Sequence, residues 1–136
     1  MRTFYIFKIN PEFSILLRDN PYNLFKTMEQ IKRFPRVDFH LALQLFETVT
    51  SPINRKKYNG ELFSDYQNDQ YYTKYENLHM IHNYYSDEET VLFVGKAYLR
   101  LKSTEHMPSF LKHLTFDSNL FACDFQNQDY FWLSEV

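Results

Sequence analysis

The stretch NLFACDFQNQDYFWL, Asn119 to Leu133, decides the fold. Phe121, Cys123 and Phe125 alternate with Leu120, Ala122 and Asp124. The chain then turns polar over Gln126 to Asp129 and apolar again from Tyr130 to Leu133. Two such runs around a polar turn predict a β-hairpin. Phe4 to Ile9, FYIFKI, is apolar on both faces, so it needs neighbours on both sides, and the closing hairpin is its natural partner. A chain whose two ends share one sheet is expected to form one domain over residues 1–136.

The elements between these ends follow from capping residues and spacing. Asn10-Pro11-Glu12 signals a short helix, and Asn20-Pro21 opens a second one carrying Leu24, Phe25, Met28 and Ile31 until Phe34-Pro35 stops it. Asp38 is placed to cap a third, ending near Ser51-Pro52, with Phe39, Ala42, Leu43, Phe46 and Val49 as its core face. Leu41, Leu45 and Thr48 form a second line beside that face. A helix apolar on two sides either sits deep or meets something else.

Asn54 to Tyr75 is polar and tyrosine-rich and reads as a long loop with room for a short helix. Strands are expected over 78–85, 91–94 and 97–102, with Gly95-Lys96 as a two-residue type II′ connection. Ser103 or Thr104 opens a last helix carrying Met107, Phe110, Leu111 and Leu114. The expected architecture is α+β: a mostly antiparallel or mixed sheet of about five to six strands covered by about three to four helices.

Composition excludes several classes. The 136 residues suffice to bury about two thirds of the extended surface without disulfide staples. With 15 basic and 17 acidic residues, no global field attracts nucleic acid or anionic lipid. One cysteine forbids an internal disulfide, and Met1 leads straight into a strand with no export signal, so a reducing cytoplasm is expected. No apolar run approaches the roughly 20 residues a membrane helix needs.

Residue chemistry offers little for catalysis, and no cofactor or metal is expected. His79 and His82 fall on opposite faces of their strand, which does not suit metal ligation, and Cys123 fits a core position. Gly60 and Gly95 are too far apart for a phosphate-binding loop. Arg55-Lys56-Lys57 with Tyr58, Tyr66, Tyr71, Tyr72 and Tyr75 could bind single strands by charge and stacking, but Glu61, Asp65, Asp69 and Glu76 cancel the charge. Single-strand or small-molecule binding by this 58–75 segment is the alternative reading. Phe13 and Leu17 lie one turn apart on the first helix, either as core or, with Leu41, Leu45 and Thr48, as an apolar patch for another protein.

Three stretches carry a family resemblance: FYIFKINPEF at Phe4 to Phe13, TSP at Thr50 to Pro52, and LFACDFQNQDYFWL at the end. With the order of elements between them, they resemble the sporulation-inhibitor-of-replication family, SirA, of Bacillota over nearly the whole chain. The resemblance implies a cytosolic, non-enzymatic protein that binds the N-terminal domain of the replication initiator DnaA and restrains origin firing without touching DNA; a monomer is expected, with exposed tyrosines leaving room for a weak homodimer. The family's interface aromatics fall on Phe13 and on Leu17, where a possible hydroxyl contact is lost; its second-helix contribution falls near Gln44, Leu45 and Thr48. An anchor role implies that Phe13→Ala costs about 2 kcal/mol of binding and leaves stability nearly unchanged.

Overall fold

A computed structural model describes residues 1–136. In chain order the elements are β1 (Arg2–Lys8), α1 (Pro11–Leu17), α2 (Pro21–Arg33), α3 (Phe39–Val49), α4 (Arg55–Tyr66), β2 (Tyr72–Tyr75), β3 (Leu78–Asn83), β4 (Glu88–Val94), β5 (Leu99–Ser103), α5 (Phe110–His113), β6 (Leu120–Asp124) and β7 (Asp129–Trp132). The strands form one antiparallel sheet in the order β2-β3-β4-β5-β1-β6-β7. This is the expected α+β architecture, enlarged to seven strands and five α-helices.

The two-sided apolar pattern of β1 has a direct cause. The strand lies between β5 and β6, pairing Phe4 with Leu101 and Phe7 with Phe121, so both its edges are hydrogen-bonded and both its faces are covered. Phe4 and Ile6 join Leu92, Leu99, Leu101 and Ala122 under α4 and α5; Phe7, Phe121, Cys123 and Trp132 join Leu24, Phe25 and Met28 of α2 on the opposite face. The sheet is therefore the middle of three layers. The β1 pairing with the closing hairpin runs through β6, while β7 forms the outer edge.

Four local expectations are corrected. The 54–75 segment is not a long loop: Asn54 accepts the Lys57 N–H at 3.1 Å and caps a twelve-residue helix, after which β2 extends the sheet. Tyr58, Leu62 and Tyr66, one turn apart, bury the inner side of α4, and the polar residues between them face outward. Gly95 does not make a type II′ turn, since no glycine has positive φ; the β4–β5 connection is longer, and a Cβ at Gly95 would sit 2.7 Å from the Tyr98 carbonyl oxygen. Ser103 stays in β5, so the last helix shrinks to the single turn of α5, with Met107 exposed before it.

The fourth correction concerns α3. Of its expected core face only Val49 is buried; Ala42 and Phe46 are half-buried, whereas Phe39 and Leu43 are exposed. Asp38 sits in a short 3₁₀ turn over Arg36–Asp38 and makes no side-chain cap bond. The helix packs beside α2, sets Phe46 against Phe7 of β1 and leaves most of its apolar surface uncovered.

Candidate interaction surface

α1 and α3 meet where α1 begins and α3 ends. Ile9 and Thr50 form an antiparallel bridge, flanked by Asn10 N–H donating to the Val49 carbonyl at 2.8 Å and Ser51 N–H donating to the Lys8 carbonyl at 2.7 Å. Thr50 Oγ1 donates to the Phe46 carbonyl at 2.7 Å and closes the last turn of α3. The Asn10 side chain accepts the Glu12 N–H at 3.1 Å, so the same short segment caps α1. These bonds fix the two helices relative to each other.

The other end of α1 is held by Trp132. Its indole N–H donates to the Arg18 carbonyl at 3.1 Å, and the Arg18 guanidinium lies 3.9 Å from the indole ring centre. The guanidinium also donates to Ser14 Oγ at 2.8 Å and to the Ser118 carbonyl at 2.9 Å. A cation over an indole adds about 1 kcal/mol to the burial of the ring. The closing strand thus positions a helix at the opposite end of the sequence.

On this frame the five residues singled out in the sequence divide. Phe13 and Leu17 are half-buried and pack against the core cluster of Phe7, Leu24 and Trp132, so each serves the fold while keeping an exposed edge. Gln44, Leu45 and Thr48 are exposed on α3, with Thr48 Oγ1 donating to the Gln44 carbonyl at 2.7 Å. The half-buried position of Phe13 makes a stability-neutral Phe13→Ala implausible on packing grounds. The exposed apolar residues are others: Ile15 and Leu16 on α1, and Phe39, Leu41 and Leu43 beside Leu45 on α3, which are 61%, 50%, 40% and 39% exposed respectively. Ile15 carried no sequence signal, and Leu16, which the sequence grouped with Phe13 and Leu17 on the first helix as apolar core, is exposed instead.

The remaining reactive groups lie elsewhere. His79 is fully buried between the Tyr72 hydroxyl and Asn59 Oδ1, each 2.7 Å from a ring nitrogen, and burial holds its pKa down at about 4. Cys123 is enclosed in the core, where burial pushes the thiol well above its ordinary range, away from the thiolate that nucleophilic chemistry needs. The tyrosine platform considered as the alternative over 58–75 is dismantled by the fold. Tyr58, Tyr66 and Tyr72 are core residues, the Tyr58 hydroxyl donating to Asp117 and the Tyr66 and Tyr72 rings stacking 5.3 Å apart.

No helix of the structure is long and apolar enough to cross a membrane. The profile of one protein family, described as sporulation inhibitor of replication protein SirA, matches residues 2–136, essentially the whole chain. No curated protein sequence matches the chain.

Proposed function

The chain belongs to the SirA family of sporulation inhibitors of replication, and from that premise we propose that it binds the N-terminal domain of the initiator DnaA through the outer faces of α1 and α3. The observation that carries this reading is the exposure of α3. Phe39 and Leu43 flank its buried stripe on one side and Leu41 and Leu45 on the other, so α3 shows solvent two apolar edges around a polar outer strip of His40, Gln44 and Glu47, although the chain has an apolar core on both sides of its sheet. Exposed apolar surface of this kind is typical of a protein interaction site. Covering each half-exposed leucine contributes about 1 kcal/mol, so micromolar affinity, roughly 8 kcal/mol, also needs Phe39, Ile15, Leu16 and polar contacts from both helices.

Inhibition would then be by occupancy. A domain covered by this surface is withheld from self-assembly or partner loading, which requires neither catalysis nor a cofactor from this chain. Phe13 and Leu17 contribute their exposed edges and set the position of α1; Gln44, Leu45 and Thr48 offer a mixed polar and apolar strip at the α3 end nearest α1. The burial of three tyrosines argues against the alternative of single-strand binding by the 58–75 segment.

Titration calorimetry against the isolated N-terminal domain of DnaA from the same organism tests the reading. Micromolar or tighter binding is expected, lost on Leu45→Asp while the thermal midpoint is retained. No binding between two folded proteins would refute it, as would wild-type affinity in Leu45→Asp.

A further inference from the structure

Behind α3 a cavity of about 310 Å³ opens between that helix, α2 and the sheet. Its size lies at the lower end of small-ligand pockets. Tyr5 and Phe7 of β1, Phe125 and Tyr98 form the sheet wall, Ile31 lies on the α2 side and Phe46 on the α3 side. Lys32 is the one charged residue of the lining, with its ammonium 4.6 Å from the Phe125 ring centre and 5.5 Å from that of Tyr5. Glu29 on the same helix is already engaged by Lys26, Arg33 and the Gln128 amide, so Lys32 has no carboxylate partner. An apolar cleft with one unpaired cation at its mouth selects a molecule with an apolar body and one negative charge.

Ring geometry narrows the shape of that body. Tyr5 meets Tyr98 at 60°, Phe7 meets Phe46 at 76°, Phe7 meets Tyr98 at 54° and Tyr5 meets Phe125 at 44°. None of these lining pairs offers two parallel faces between which a flat ring could be sandwiched. A flexible alkyl chain packs against edges and faces alike. We infer that the cleft between α2, α3 and the sheet is a binding site for a medium-chain alkyl carboxylate, its tail among the aromatic rings and its head at Lys32. The inference does not depend on the DnaA reading, because it uses the inner side of α3.

The test is a titration of the full chain with sodium decanoate below its micellar concentration, followed by methyl-resolved NMR at Ile31 and Met28. Saturable shifts at both methyls are expected. Lys32→Met should weaken binding about fivefold, the size of one exposed charge pair. Ile31→Trp, or Phe46→Trp if the first variant loses its fold, should fill the cleft and abolish the shifts with the thermal midpoint held. Absence of saturable shifts would overturn the inference, as would shifts that persist in a folded cleft-filling variant. Equal affinity for decanol would overturn the role of Lys32, and tighter binding of 1-naphthoate would overturn the alkyl assignment.

Discussion

α3 and α4 are nearly the same length, 11 and 12 residues, and their sequences suggest opposite fates. FHLALQLFETV reads as core and RKKYNGELFSDY as solvent-facing, yet the first leaves only Val49 buried and the second encloses Tyr58, Leu62 and Tyr66. Local hydropathy does not decide which helix the fold needs. α4 packs on β4 and α5 and reaches β2 through the Tyr66–Tyr72 stack, so three side chains one turn apart close that side of the core. α3 packs beside α2 with Phe46 against Phe7 of β1, and is anchored at its C-terminal end by the Thr50 bridge to Ile9. Apolar residues that the fold does not use are then available to a partner.

The largest expected effect separates the two helices by stability. Leu62 is fully buried, so Leu62→Ala should cost about 3 kcal/mol in denaturant unfolding. A cost near zero would show that α4 is a loosely held cover and erase the contrast. A similar effect should arise from pH through His79, which accompanies α4 by its bond to Asn59. Its folded pKa of about 4 lies below the ordinary value of 6.5, so the unfolded chain binds the extra proton first. Stability from this group is therefore complete above about pH 6.5 and falls as the pH drops toward 4, levelling off below. Unfolding midpoints measured across that range should show the slope, and His79→Asn should flatten it.

On α3 the effects should appear in binding instead. Leu45→Ala is expected to weaken the DnaA complex by about 1 kcal/mol in calorimetry. Phe13→Ala should act on both sides, lowering affinity and also the unfolding free energy, because its half-buried ring packs on the core. The smallest effect is expected for Leu41→Ala, whose unfolding free energy should stay within about 0.5 kcal/mol of the parent. A loss comparable to that of Leu62→Ala would place α3 in the core after all.

The hairpin and β1 were readable because their patterns are dictated by burial on both sheet faces, and the register Phe7 opposite Phe121 realises that pattern. α2 was readable from its Asn20-Pro21 start and its stripe of Leu24, Phe25 and Met28. α4 was obscured because two of its three buried residues are tyrosines set among charges, with Gly60 in mid-helix. For the candidate surface, spacing named Phe13, Leu17, Leu45 and Thr48 and the family resemblance added Gln44, but neither separated the half-buried positions from the exposed ones. Periodicity marks a stripe without saying whether it meets a neighbour in the same chain, so Phe39 and Leu43 were assigned inward although both are exposed.

Hydrogen exchange of the amides in residues 39–50 and 55–66, with and without the N-terminal domain of DnaA, tests the contrast most directly. α4 should exchange slowly in both conditions, whereas α3 should exchange faster in the free protein and slow markedly on addition of the partner. Slow, partner-independent exchange in α3, matching that of α4, would contradict the account.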